Sequence, residues 1–288
     1  MIVRRGDCRL ELPKLESASV DFVCTDPPYF IDGMGDEWDA DRLHSKASKA
    51  GVVGGLPVGM KFDSEQGKRL YDFLLPVCQE LFRVLKPGAY CCVFSQARLY
   101  HRTAMALEDS GFEVRDMLGW CYTGQAKAFS QSHFVKRRKE LSEAERERII
   151  KELDGWKTPQ MTPCIEPIVL AQKPKEGTFV DNWLKWGVGL MNTNERLDGA
   201  FPKNLIYVDK SERRNDCDFK IEHLTPKPVK LISHLIRLFT RENQVVLDPF
   251  MGSGAHGQAA LQSGRDFIGF ELDEGYFELC KRRMHCGS

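Results

Sequence analysis

Apolar positions along the chain follow two rhythms that take turns. Val20-Asp21-Phe22-Val23-Cys24 alternates and is rich in β-branched and aromatic residues, which predicts a short strand. Leu70, Phe73, Leu74, Val77, Leu81, Val84 and Leu85 instead recur with helical periodicity. Asp63 and Gln66 stand at capping-box spacing before that helix, Pro76 kinks it, and Lys86-Pro87-Gly88 ends it. A buried-type strand follows at 89–94, then a helix at 96–110 stopped by Gly111, then a strand at 112–122. Strands alternating with helices in this way predict an α/β fold on a doubly wound, mostly parallel sheet.

The alternation breaks over 125–218. Residues 125–163 carry Lys136-Arg137-Arg138-Lys139 and a charged helix at 141–153, whereas 177–218 looks irregular. The latter mixes Trp183, Trp186, Asn192 and Asn194 with Lys203, Lys210, Arg213 and Arg214. Between the two, Glu166-Pro167-Ile168-Val169-Leu170-Ala171 reads as one more core strand, near 165–172. Basic side chains among aromatics and amides suit phosphate positioning and base-edge contacts. A solvated helix face explains the first cluster as well, because Glu140, Glu143, Glu145 and Glu147 can pair along it.

Regular spacing returns at Thr225, with Val229, Ile232, Leu235, Ile236 and Phe239 on one helix face. A strand at 244–248, a helix at 255–263 ended by Gly264, a strand at 266–272 and a helix capped by Asp273 complete the chain. The chain opens on an interior-type strand, Ile2-Val3-Arg4-Arg5-Gly6-Asp7-Cys8, followed by a helix-like turn through Leu10, Leu12 and Leu15. If residues 2–7 lie beside 267–272, the sheet closes into one doubly wound unit whose order is circularly permuted.

Composition narrows the class. A length of 288 residues suits one large α/β domain, or a domain with a sizeable insertion, and 42% hydrophobic residues supports an ordinary core. No apolar run nears the roughly 20 residues that span a bilayer, and the N-terminus turns polar too early for a signal peptide. The ten cysteines form no Cys-x-x-Cys pair, which argues against zinc or a disulfide framework and fits a cytoplasmic protein. A formal net charge of zero excludes a general polyanion binder, so nucleic-acid contact must come from local basic patches.

Two stretches carry candidate chemistry. In Thr25-Asp26-Pro27-Pro28-Tyr29-Phe30-Ile31 a carboxylate stands where a strand ends, and two prolines force an extended exit. Open α/β sheets place ligands at such strand ends. Asp26, the Pro27 carbonyl and the Tyr29 ring could together grip a flat, amino-bearing heterocycle, although a plain Asp-Pro-Pro turn explains the same residues. A stretch with Gly51, Gly54, Gly55 and Gly59 follows, as expected of a mobile lid or a long surface connection. The second stretch, Gly252-x-Gly254-x-x-Gly257, lies between a strand and a helix, and Glu271 is placed to accept from ribose hydroxyls. A turn needed only for packing is the alternative, and His256 reads as a helix-face residue. Asp248, just before the glycines, is unwelcome beside a pyrophosphate but suits a cationic ligand. That favours S-adenosylmethionine, with its sulfonium and ammonium, over a nicotinamide dinucleotide.

In this order the motifs resemble the β class of amino-group DNA methyltransferases, in which the catalytic motif precedes the cofactor motif with target recognition between them. Asp26-Pro27-Pro28-Tyr29 is similar to that family's catalytic tetrapeptide at the end of its fourth strand, and residues 248–254 to its cofactor loop. Gly6-Asp7-Cys8 resembles the segment contacting the cofactor's adenine end. His223-Leu224-Thr225-Pro226-Lys227-Pro228 resembles the segment leading into the helix beside the methionine moiety. The likeness implies a circularly permuted, Rossmann-like methyltransferase fold. Its catalytic part would be 1–124, its target-recognition region 125–218, and its cofactor-binding part 219–288.

The resemblance further implies catalysis by Asp26, Pro27, Pro28 and Tyr29, with S-adenosylmethionine held by Asp7, Cys8, Thr225, Lys227, Asp248, Phe250, Gly252, Ser253, Gly254 and Glu271. Double-stranded DNA would meet Lys136, Arg137, Arg138, Lys139, Lys203, Arg213 and Arg214. An exocyclic amine is a poor nucleophile because its lone pair is delocalised into the ring. Acceptors at Asp26 and the Pro27 carbonyl would hold both its N–H bonds, and Tyr29 would stack on a base flipped from the duplex, worth about 1–3 kcal/mol. Asp at the head of the tetrapeptide favours adenine N6 by resemblance, and cytosine N4 stays open. The resemblance argues against Cys24 or Cys121 as the nucleophile of a cytosine-C5 enzyme, since neither follows a proline. An RNA or protein-amide methyltransferase and a nicotinamide oxidoreductase are the remaining alternatives. A homodimer and a separate cognate restriction endonuclease are compatible with the resemblance.

Overall fold

Eight strands form one sheet: β1 (Ile2–Arg5), β2 (Val20–Thr25), β3 (Leu85–Phe94), β4 (Glu113–Cys121), β5 (Ile165–Gln172), β6 (Leu205–Tyr207), β7 (Val245–Asp248) and β8 (Asp266–Glu271). They are seen in a computed structural model that describes residues 1–29, 64–124, 128–159, 161–217, 219 and 226–284, apart from the side chains of Ser64, Arg214 and Asn215. The strand order is β1-β8-β7-β2-β3-β5-β4-β6. The chain's opening strand pairs in parallel with β8, Ile2 opposite Ile268 and Arg5 opposite Glu271, so the permuted closure expected from the sequence is present. Phe30 and Ile31 of the hook, the glycine-rich stretch, the Asp63 cap, His223, Leu224 and Thr225 fall outside the described residues.

Helices α1 (Cys8–Glu11), α2 (Ser64–Val84), α3 (Tyr100–Asp109), α4 (Ser132–Lys136), α5 (Glu143–Glu152), α6 (Phe179–Trp186), α7 (Val229–Phe239), α8 (Ala255–Gln262) and α9 (Glu274–Met284) complete the framework. β2 is buried along its whole length, as a central parallel strand must be. Its side chains divide between two helical layers. Val23 joins a core with Leu70, Leu74 and Val77 of α2, while the Phe22 ring lies 5.5 Å from Phe239 of α7. Cys91 and Tyr90 on β3 repeat the division, Tyr90 lying 4.6 Å from Phe239. Helices on both faces make the sheet doubly wound.

Four details differ from the sequence expectation. Lys86-Pro87-Gly88 does not separate helix from strand: α2 ends at Val84 and β3 begins at Leu85. The register jumps from Val20 opposite Leu85 to Phe22 opposite Tyr90, so residues 86–89 bulge. The buried Asn182 amide holds that bulge by donating to the carbonyls of Pro87 and Val188, each at 3.0 Å. Its source, α6, starts from a Thr178–Asp181 capping box inside the stretch expected to be irregular. That stretch also supplies β6. Third, β5 runs antiparallel to β3, Ile168 opposite Phe94 and Gln172 opposite Tyr90, so a reversed strand enters the sheet beside β3. Last, α3 starts at Tyr100, four residues later than the periodicity indicates.

By contact density the chain divides into one compact unit of Met1–Cys121 and Glu166–Ser288, and another of Tyr122–Ile165. The second unit contains α4, α5 with its Ser142–Glu145 capping box, and the antiparallel bridge between Ser130 and Lys157. The stretch 173–218 therefore groups with the sheet.

Two glycines of the Gly252 motif are demanded by packing. A Cβ at Gly254, whose φ is +84°, would stand 2.7 Å from Cys280 Sγ and 3.0 Å from Cys280 Cα on α9. A Cβ at Gly257 would meet Met284 Sδ at 2.7 Å. Gly254→Ala combines left-handed strain with overpacking and should lower stability by about 2–4 kcal/mol. Gly155→Ala, at φ +80° with open space around it, should cost only the strain. Urea unfolding of the two variants checks the contrast; equal losses would remove α9 from the explanation.

Candidate active site

The site forms where β2 and β7 end side by side. The two strands pair in parallel, Phe22 opposite Val246 and Val23 opposite Leu247. The chain leaves β2 for β3 on one side, and leaves β7 for β8 on the other. That is a topological switch point, where a crevice opens beyond the carboxyl ends of the strands. The buried Thr25 hydroxyl bridges it by donating to Asp248 Oδ1 at 2.6 Å. Asp248 Oδ1 also accepts from the Phe250 N–H at 3.0 Å.

Asp26 follows Thr25 directly, so it emerges at the rim of that crevice. Both its oxygens are engaged: Tyr29 Oη donates to Oδ1 and Lys227 Nζ to Oδ2. Lys227 Nζ lies 2.8 Å from Glu166 Oε1, and Tyr29 Oη reaches the same oxygen at 3.5 Å. Lys227 is only 4% exposed and lies over Phe94 at 5.1 Å and Trp120 at 6.0 Å. Burial alone would pull its ammonium down, but Asp26 and Glu166 outweigh burial and hold it above its ordinary value. Burial raises the Glu166 carboxyl above the usual range; Lys227 opposes this and Asp26 reinforces it. Burial, then the neighbouring Asp26 and Glu166 charges, push the Tyr29 phenol well up. The exit of the hook is braced by Gln66 Nε2, which donates to the Tyr29 carbonyl at 2.8 Å.

The glycine turn lies on the β7 side. Gly6 N donates to the Glu271 carbonyl at 2.9 Å, which brings Gly6-Asp7-Cys8 to the end of β8. Glu271 Oε2 accepts from Gly252 N and Oε1 from Asp273 N, each at 2.8 Å. Burial raises its carboxyl above the usual range, and those two N–H bonds oppose the shift. Asp7 caps α1 through the Arg9 N–H at 2.9 Å, and burial pushes the Cys8 thiol up to about 12. Ser253 accepts from the buried Arg283 at 3.0 Å. Phe250 lies 5.8 Å from Phe73.

A test of fit for a nucleoside cofactor comes from the turn's own N–H groups. Those of Phe250, Met251, Gly252 and Gly254 are taken by Asp248, Phe270, Glu271 and Met251. Little remains to cradle a pyrophosphate. A buried carboxylate, Asp248, and a half-buried one, Glu271, stand there instead. Asp248 Oδ2 is 2.9 Å from His256 Nδ1 but not aligned for a hydrogen bond, and it has no other partner among the described residues. An acidic turn with a spare buried acceptor suits a sulfonium and an ammonium. Among the described residues, no group of His, Cys, Asp and Glu could hold a metal ion.

The structure thus brings together Asp26, Tyr29 and Lys227 on one side of the crevice, and Asp7, Asp248, Gly252 and Glu271 on the other. Lys227, expected beside the cofactor, is bonded to Asp26. Lys203 pairs with Asp198 at 2.7 Å, and Arg213 donates to the Lys210 and Pro226 carbonyls, so it braces its own loop. Lys136, Arg137, Arg138 and Lys139 are exposed on the second unit. Three residues given no active role in the sequence reading belong to the site. Glu166 was legible only as a strand start, although a carboxylate heading an apolar run is a signal. Thr25 carries no local signal of its role, because its partner Asp248 lies 223 positions away. His256 lies on α8 as expected, on its buried face between Asp248 and Phe94, with Nε2 unpartnered among the described residues.

Residues 20–282 match the family of N6/N4 DNA methylases, and the chain belongs to it. The family's methyl donor is S-adenosylmethionine. The type II methyltransferase M.HindIII of Haemophilus influenzae is 31% identical over 98% of this chain and 94% of its own. Among solved structures, the cytosine-N4-specific PvuII DNA methyltransferase superposes with a TM-score of 0.64 at 17% identity, covering 99% of this chain and 86% of that one. M1.HpyAVI in complex with S-adenosylmethionine does so at 0.58 and 21%, covering 99% and 98%.

Thr25→Val keeps the shape and removes the bond across the crevice, leaving a buried acceptor short of one donor. Stability should fall by about 1–3 kcal/mol. Urea unfolding measures the loss, and an unchanged midpoint would mean that the bridge contributes nothing.

Proposed function

We propose that this protein is a site-specific methyltransferase acting on the exocyclic N6 of adenine in duplex DNA. The observation that carries the reading is Asp26 fixed at the end of β2 with Thr25 tied to Asp248. One bond thus links the hook that would receive the base to the turn that would receive the donor. S-adenosylmethionine, when bound, supplies an electrophilic methyl group. Asp248, Gly252 and Glu271 are the residues placed to hold it, with Asp7 and Cys8 at the β1 end. Asp26 and the Pro27 carbonyl accept the N–H bonds of the target amine, so its lone pair turns out of the ring plane. Tyr29 supplies the stacking surface for a base turned out of the helix. Alignment and charge placement then carry the rate, with no covalent bond to the enzyme.

Region 125–218 is the proposed source of target recognition, with Lys136, Arg137, Arg138 and Lys139 of the second unit as phosphate contacts. Lys203 and Arg213 are weaker candidates, being already tied within the protein. The adenine reading rests on Asp heading the tetrapeptide; transfer to cytosine N4 is the second reading.

Asp26→Ala should lose at least about a hundredfold in transfer while calorimetric binding of S-adenosylmethionine survives. Appreciable remaining activity would remove Asp26 from its role. Nucleoside analysis of DNA methylated by the wild type should yield N6-methyladenine; N4-methylcytosine would install the second reading. Alanine at all four of positions 136–139 should weaken DNA binding and flatten its dependence on salt. An unchanged slope would leave that cluster a solvated surface.

A further inference from the structure

Lys227 and Glu166 do more than fill space behind the hook. Asp26, Glu166 and Lys227 form a triad in which one buried ammonium serves two half-buried carboxylates, touching Asp26 and lying 2.8 Å from Glu166. Such a cation is costly to bury and is held there by the pair. Tyr29 joins from the hook, Lys210 adds its charge to the field at Glu166, and Phe94 and Trp120 wall in the ammonium. Resting on the methyltransferase reading, a requirement follows from the reaction. The target amine gives its lone pair to the methyl carbon, whose bond to sulfur breaks with that pair staying on sulfur. The amine nitrogen turns positive, so Asp26 must be ionised and correctly aimed when it does.

We propose that Lys227 and Glu166 are positioning residues for Asp26. The ammonium aims the carboxylate and balances its charge. Glu166 anchors the ammonium and leaves the triad with one net negative charge where the target amine becomes positive. Neither residue needs to touch the base. The two act in opposite directions on the same carboxylate: Lys227 attracts it, and Glu166 repels it and shares the cation.

That opposition gives a test no structural role would mimic. Single-turnover transfer to unmethylated duplex genomic DNA is measured against pH for the wild type, Lys227→Met, Lys227→Arg and Glu166→Gln, with calorimetric binding of S-adenosylmethionine as the check on folding. Lys227→Met should lose about a hundredfold at neutral pH and move the acid limb of the profile upward. Lys227→Arg should return the limb toward its wild-type position. Glu166→Gln should lower the plateau yet move the limb to lower pH. Limbs that coincide in all four proteins, or move the same way in the Met and Gln variants, would overturn the proposal. Glu166→Gln keeps shape and an acceptor for Lys227, so it decides alone if Lys227→Met fails to fold: an unmoved limb rejects the idea. A wild type that transfers nothing to DNA would defeat the methyltransferase reading instead.

Discussion

The arrangement depends on one buried contact, the Thr25 hydroxyl against Asp248. It joins the last residues of two central strands, so it fixes the separation between the loops that leave them. A hydroxyl–carboxylate bond shielded from water is stronger than the same pair on a surface, and leaving either end unpaired there is expensive. Asp26 and the glycine turn therefore inherit their relative position from strand pairing. The site is built by the sheet, and its loops carry chemistry at positions already set.

Charge is distributed accordingly. The turn spends its N–H groups internally and keeps carboxylates, where a phosphate binder would do the reverse. Across the crevice, Asp26 is offset by Lys227, which is offset again by Glu166. Each charge of that triad has a partner, as the burial of Lys227 requires. The excess is negative on both sides of a space that would receive a positively charged donor and a nucleophile that becomes positive.

Much of this was legible in the chain. Periodicity located the strands carrying both motifs, because central parallel strands are continuously apolar and short. The permuted closure could be inferred from an interior-type strand at the beginning, and Ile2 opposite Ile268 bears it out. The reversed β5 was not legible, since strand direction leaves no trace in an apolar run. Nor was the bulge after α2: Lys86-Pro87-Gly88 looks like any turn, and only Asn182, some ninety residues on, makes it part of a strand. The triad escaped for the same reason. Asp26, Glu166 and Lys227 are far apart in the chain, and no local pattern says that three strand and helix ends converge.

The permuted order has a consequence for how such a protein comes into being. Thr25 and Asp248 are 223 positions apart, and β2 lacks one of its neighbours until β7 has been made. On the ribosome the hook would emerge early and wait, its flank uncovered, through most of synthesis. Contacts this distant in sequence are slow to form, and an unpaired central strand invites wrong partners meanwhile. A competent crevice can exist only after nearly the whole polypeptide is present, so truncated chains would be born inert.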